Sequence, residues 1–545
     1  MHPHQFHIQR IDHMGLVAGM CKELGISNHL DSLVPNQSEH RNISFGETLV
    51  SMLLNGLGFT ARTLHMFPEF HADKPLDKLI RPGIKPEHIN DSVLGRALDQ
   101  LFELDVSEVY LSLAVKAVNV LKLPCKALNL DSTSLHVDGV YNSESDVDEE
   151  DMHCIKLCRG YSRDHRPELN QAILLMMTEN QAGIPVFMKA SSGNVNDNKN
   201  FKKVISSHLK SYREALNNRY LIGDAALYTT DNVQILHQQG QQFITRVPSK
   251  IKEARELIDS VASCEMTPVE GAEGYESHEM LSDHAGVSQR WILVRSEQAR
   301  KSEQKTLLKK MLKKSEKEAE ALTSKLAKKA FKCETDALRA FDEWQSKTIY
   351  CQAEPVITEK PCYTKVGRPE KGSKPDSIEY YVSGYPWVSV DCRKDAECSL
   401  GCFVLATNDL DDSRLSTAEV LSTYKSQQSV ERGFRFLKSP EFLVSSLFLK
   451  KPERIEALLM VMTLCLLVYA AIQHRIRHEL KRQSRFFPDM KRKPCQNPTA
   501  RWVFFCFQGI NVLLVDGHEK HVVGLQERQL TIISILGRPY QEIYS

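Results

Sequence analysis

Apolar positions fall into three regimes along the chain. Over residues 1 to about 122 they recur at helical spacing. "SFGETLVSMLLNGLGF" offers Ser44 as a helix cap, with Glu47 three residues on and an apolar run behind it. "DSVLGRALDQLFE" sets Leu94, Leu101 and Phe102 on one face, with Asp91 as its cap. From Cys125 the pattern changes to β. "KALNLDSTSLHV" predicts a first strand ending near Asp131. Runs at 173–177 and 184–189, joined by a polar connection with a glycine, predict a hairpin. A helix over about 198–216 follows, then a strand in "RYLIGDAALYT" with Asp224 at its end, a short helix over 230–238 and a strand in "QQFITRVP". A meander of strands that switches to crossovers is the order of an α/β, ribonuclease-H-like core.

The third regime has no single period. Between Gly286 and Pro355 there is neither glycine nor proline, and residues 301–332 carry eleven lysines against four glutamates. Leu308, Leu312, Leu322 and Leu326 recur at helical spacing there, which predicts a long amphipathic helix or a helical hairpin. Strand-like runs surround it in "QRWILVRS", "EYYVSGYPWVSV" and "GCFVLATN", so 251–416 reads as a large α+β insertion. "YKSQQSVERGFRFLK", 424–438, then reads as one helix stopped by Pro440. The apolar run at 457–472 is sixteen residues long, short of the roughly 20 needed to span a bilayer, and predicts a buried helix. "ARWVFFCFQGINVLLV" to "LTIISILG" reads as a small helix and strands. The expected organisation is a helical N-terminal domain (1–122), core (123–250), insertion (251–416), returning core (417–482) and C-terminal segment (483–545).

Composition narrows the setting. A chain of 545 residues needs two to four domains. Seventy basic residues nearly balance 69 acidic ones, so any nucleic-acid site must come from local distribution. Lysines 301–332 are a solvated face by default, with phosphate binding as the functional alternative. The fourteen cysteines show no short-spaced framework, and the N-terminal residues lack the apolar run of a signal peptide. Both point to a reducing, cytoplasmic location.

The chemistry lies in three acids brought near one another by this order. Asp131 and Asp224 end neighbouring strands, where paired carboxylates hold divalent cations roughly 3.5–4 Å apart. Relative to Glu431, one helical face holds Tyr424, Gln427, Arg435 and Lys438, while Val430, Phe434 and Leu437 turn toward packing. Gly433 predicts close approach of another backbone. Tyr424-x2-Gln427-x3-Glu431-x6-Lys438 resembles the Tyr-x2-Arg-x3-Glu-x6-Lys signature of transposases of the insertion-sequence-4 superfamily. "YKSQQSVERGFRFLKSPEF" and "FLKKPERIEALLMVM" look like its insertion-sequence-1634 branch. The one departure is Gln427, where the superfamily commonly has arginine; of Arg432 and Arg435, only Arg435 shares the face. The resemblance implies an Asp-Asp-Glu strand transferase using Mg2+ (or Mn2+), with Asp131, Asp224 and Glu431 as catalytic metal ligands. It also implies that Tyr424 and Lys438 contact DNA at the element ends, and that the protein works as a homodimer in the synaptic complex. Relatives flip a base onto an aromatic of the insertion, for which Trp291 and Trp344 are the candidates.

Other signals carry less. "HCIKLC" (153–158) lacks the second ligand pair of a zinc site. The acidic run 143–151 reads as a solvated loop, "KVGRPEKG" (365–372) as a turn, and Asp197 as a turn or helix cap. Two competing functions share the fold: a DNA-binding protein without chemistry, and a host nuclease.

Overall fold

The computed structural model describes residues 6–35, 41–59, 66–137, 154–363, 374–389, 394, 397–439, 449, 451–515 and 519–545. The run 143–151, His153, the 365–372 turn and Pro440 lie outside the described residues, as does the side chain of Asp197, where a helix begins.

The N-terminal segment is helical apart from its first element, the strand β1 (Phe6–Arg10). Helices α1 (Met14–Leu24), α2 (Phe45–Gly56), α3 (Asp91–Glu103) and α4 (Val106–Leu121) follow, among shorter ones. Ser44 and Glu47 form the expected capping box on α2. On α3 the cap is Asn90, whose side chain accepts from Val93 N–H, and Asp91 is the first helical residue.

The core strands come in the predicted order: β2 (Ala127–Val137), β3 (Asn170–Glu179) and β4 (Pro185–Ser192), then α5 (Asp197–Leu216), β5 (Tyr220–Gly223), α6 (Thr230–Gln238) and β6 (Gln242–Arg246). β2 pairs antiparallel with β3 and parallel with β5, and β6 lies parallel to β5. The spatial order β4-β3-β2-β5-β6 is that of the ribonuclease-H-like sheet. One detail differs from expectation. β2 runs six residues beyond Asp131, because its antiparallel pairing with β3 continues to Val137 after the parallel pairing with β5 stops at Leu130.

The insertion is only partly a separate unit. β7 (Thr267–Pro268), β8 (Tyr275–Ser282) and β9 (Gln289–Ser296) lengthen the core sheet through β10 (Cys402–Thr407), which pairs antiparallel with both β9 and β6. The order is β4-β3-β2-β5-β6-β10-β9-β8-β7. An edge strand exposes unpaired backbone groups, and β10 covers those of β6. Between β9 and β10 the chain leaves the sheet as a helical hairpin, α7 (Glu297–Glu320) and α8 (Glu334–Lys347), with short ribbons and its own small core of Leu322, Ala337, Phe341 and Val382.

The 424–438 stretch is two helices rather than one: α9 (Thr417–Lys425) and α10 (Gln428–Leu437). α11 (Pro452–Arg482) then passes through the centre of the molecule. Its most apolar window is 83% buried, as a core helix requires. After a short helix (Ala500–Cys506) come β11 (Asn511–Val515), β12 (Glu519–Val523), α12 (Glu527–Leu536) and α13 (Arg538–Ile543). The "LTIISILG" run is helical, not a strand: Ile532, Ile533, Ile535 and Leu536 are buried on one side, and tertiary packing overrides their β preference. β11 pairs with β1, so the two ends of the chain share one small sheet.

Candidate active site

β5 ends at Gly223, and the next residue, Asp224, is held by its own turn: its Oδ1 accepts from Ala226 N–H at 2.9 Å, and its carbonyl from the Thr245 hydroxyl. One strand away, Asp131 leaves the sheet face just past the last parallel pair, with Oδ1 accepting from Ser132 N–H at 2.7 Å. Asp131 and Asp224 therefore share one edge of the sheet, as their strand positions predict.

Glu431 reaches that edge on α10, through a junction pinned to the sheet. Asn129, fully buried on β2, accepts from the Ser426 hydroxyl at 3.1 Å and donates to Ser429 Oγ at 3.3 Å. The Ser426 hydroxyl also lies 2.6 Å from the Thr423 carbonyl, a local bond that competes with the helix ladder and accounts for the break after α9. Ser426 and Gln427 nevertheless keep right-handed helical angles, so the predicted face survives the break. Val430, Gly433, Phe434 and Leu437 are buried beneath α10. A Cβ on Gly433 would meet Leu466 Cδ2 at 2.9 Å and Met176 Cε at 3.1 Å, so side chains of α11 and β3, not a backbone, require this glycine.

Asp131, Asp224, Tyr424, Gln427, Glu431, Arg435 and Lys438 all line one open cleft of about 440 Å³, with Thr133, Arg163, Asp164 and Phe434. Its electrostatics are those of crowded acids. Burial pushes the Asp131 carboxyl up to about 6; Arg163 and the Ser132 N–H oppose this, and Asp224 adds to it. Burial likewise pushes the Tyr424 hydroxyl up to about 12, against Arg246 and with Asp224, Glu431 and Asp131. Tyr424 thus feels all three acids at once.

Sequence reasoning missed the loop that closes the cleft, "GYSRDHRPEL", between β2 and β3. Arg163 Nη1 lies 3.3 Å from Asp131 Oδ1 and also donates to the Ser132 carbonyl. Asp164 accepts from Lys438 Nζ at 2.7 Å and lies 3.3 Å from His136 Nε2. Glycines let the loop press on the sheet: a Cβ on Gly160 would overlap the Gly193 carbonyl, and Gln171 Nε2 bonds both that carbonyl and Tyr161 O. Alternating charges flanked by glycine were the available signal. Of the two base-flipping candidates, Trp291 is a core residue and Trp344 is half-buried against the small core beside α8. Trp291 is 1% exposed and bonds the Tyr228 hydroxyl, and Trp344 packs on Phe341 with its N–H on the Glu318 carbonyl.

A ribonuclease-H-like sheet with an acidic cleft at the ends of its parallel strands defines a class of enzymes that cut phosphodiesters. Sequence comparison gives the family. A family profile described as "Transposase DDE domain" matches residues 129–468, more than half of the chain. This protein belongs to the DDE transposases, enzymes that cleave DNA in transposition and recombination. A second profile, "Domain of unknown function (DUF4277)", matches residues 6–115. No curated protein matches. Among solved structures, one titled "Cryo-EM structure of piggyBac transposase synaptic complex with hairpin DNA (SNHP)" aligns at 10% identity and a TM-score of 0.37, covering 92% of this chain and 82% of that one.

Proposed function

We propose that the cleft cuts DNA at the ends of an insertion sequence and joins the freed 3′ ends to target DNA, cut-and-paste, in the manner of the insertion-sequence-4 superfamily and its 1634 branch. The observation that carries this reading is the gathering of Asp131, Asp224 and Glu431 with Tyr424, Arg435 and Lys438 on one cleft. Asp131, Asp224 and Glu431 are the catalytic acids. Tyr424, whose hydroxyl stays protonated at neutral pH, donates a hydrogen bond to a phosphate oxygen, while Arg435 and Lys438 balance the phosphate charge. Gln427, a neutral residue in the arginine position, leaves more of that charge to Arg435.

The donor set suits a hard cation, since all three ligands offer carboxylate oxygen. Among the described residues no three acidic, histidine or cysteine side chains stand close enough to form a ready-made cluster. Instead the Arg163 guanidinium lies beside Asp131, supplying positive charge where the acids need it. Two Mg2+ ions (or Mn2+), when bound, activate the attacking oxygen and stabilise the leaving one. In the first step water attacks phosphorus, the P–O3′ bond breaks and the 3′ oxygen leaves as a hydroxyl. In the second step that hydroxyl attacks a target phosphodiester, the target's P–O3′ bond breaks, and its 3′ oxygen leaves as a hydroxyl.

The partners are the element's inverted-repeat ends and target DNA, and a homodimer pairs the two ends in the bacterial cytoplasm, on the nucleoid. Residues 1–122 form the DNA-binding or dimerising module, and 251–416 the insertion between the two parts of the core. Asp131→Asn, Asp224→Asn and Glu431→Gln should each abolish Mg2+-dependent cleavage of an end-bearing duplex while leaving duplex binding in place. A variant that cuts at near wild-type rate removes its residue from the site. A wild-type protein that binds ends and never cuts them is a silent DNA-binding protein, and one that cuts without joining is a nuclease.

A further inference from the structure

α7 is a 24-residue helix with seven lysines, and both of its anchors lie on the edge of the sheet that carries the acids. β5 and β6 are parallel, β10 runs against β6, and β9 runs against β10, so β9 points the same way as β5. Asp224 follows β5 at that edge, and α7 starts immediately after β9, with Ser296 as its cap. The chain returns at the same point: Ser296 N–H donates to the Gly401 carbonyl at 2.9 Å, and Gly401 N–H to Glu303 Oε2 at 2.7 Å. The whole excursion is therefore mounted on one spot, at the sheet edge where β5 leads into Asp224.

The charge on α7 is only partly neutralised within the molecule. Lys305, Lys309, Lys313 and Lys317 follow one another at four-residue spacing, with Lys310 and Lys314 beside them, and all six are exposed. Three of the five acids of the helix are engaged, while Glu316 and Glu320 stay exposed one turn from Lys313 and Lys317. Glu297 pairs with Lys301, Glu303 holds Gly401, and Glu318 accepts the N–H groups of Ile349, Tyr350 and Cys351. Among the described residues none of those six lysines has an ion-pair partner. Like charges at four-residue spacing destabilise a helix, a repulsion that a polyanion lying along the helix removes.

We propose that the lysine face of α7 docks the sugar-phosphate backbone of duplex DNA, without regard to sequence, as the duplex passes the cleft. The proposal rests on the DNA-cleaving reading of the cleft and adds a second contact region outside it.

The test uses the full chain without divalent metal and a fluorescent duplex of arbitrary sequence, titrated over a range of salt concentrations. Replacing Lys305, Lys309, Lys313 and Lys317 with glutamine should weaken binding at least about tenfold at low salt, and should flatten the log–log salt slope by about 0.9 for each lysine that meets a phosphate. The same four positions changed to arginine should keep the wild-type slope. The glutamine variant should still cut a short end-bearing duplex in Mg2+, which separates this proposal from the assignment of the acids. An unchanged slope in the glutamine variant makes the lysines a solvated face and overturns the proposal. So does an unchanged slope with an altered sedimentation coefficient, which would make a second copy of the chain the occupant.

Discussion

Asp131 shows how a single residue couples the cleft to stability. Its folded-state carboxyl is raised by burial from 3.8 to about 6, so the folded protein binds its proton more tightly than the unfolded chain does. The stability linked to that proton is complete below about pH 4 and is lost as pH rises toward 6, a loss of at most about 3 kcal/mol. An asparagine cannot ionise. In metal-free buffer, Asp131→Asn should therefore melt above wild type at pH 7, and the difference should vanish near pH 4 in calorimetric scans. Parallel melting curves at both pH values would show that Asp131 ionises without strain. Arg163 softens the effect, because its guanidinium favours the ionised form. At this scale Asp224 was legible from its strand end and Glu431 from its helical face, whereas Asp131 lies within β2, just past its last parallel pair. Arg163 and Asp164 were not legible, since alternating charges beside a glycine mark a loop but do not say which site it faces.

At the scale of elements, two glycines decide how the chain ends meet. Gly15 and Gly19 lie one turn apart on α1, and each receives a tyrosine ring from the C-terminal residues. A Cβ on Gly15 would stand 2.6 Å from the Tyr544 ring, and one on Gly19 2.5 Å from that of Tyr540. The hydroxyls of these rings bond the Asp12 carbonyl and Glu23. In an open helix, glycine to alanine gains about 1 kcal/mol. Here Gly19→Ala should instead cost about 1–3 kcal/mol, because a buried ring cannot yield without repacking. In a Tyr540→Ala background the same substitution should become stabilising, and chemical denaturation of the four proteins closes the cycle. Element types were largely legible: hydrophobic period and turn residues placed the core strands and the helix over 230–238. The docking of the α9–α10 junction on the sheet was not, because it depends on Asn129, almost 300 residues earlier, bonding two serines.

Across the whole molecule, one apolar core runs from α1 through the sheet and α11 to α13. A division into five segments follows from local composition. The continuity of the core does not, because it is made by contacts between distant stretches. A chain ending at residue 507 would leave β1 without its partner and α1 without its two tyrosine rings. Limited proteolysis of that truncated protein should open residues 6–57 first, while 127–246, held by the pairing among β2 to β6, resists longer. Equal resistance of both regions would mean that the N-terminal helices hold themselves.

The pairing of β1 with β11 also sets a schedule for synthesis. Phe6 faces Val515 and Arg10 faces Asn511, so during translation β1 waits for about five hundred further residues before its partner exists. Closing so long a loop is slow. A polypeptide still being translated can therefore hold a folded central sheet, but β1 is paired only once β11 has been made. Translation products that stop between α10 and β11 would carry the acids and leave β1 unpaired.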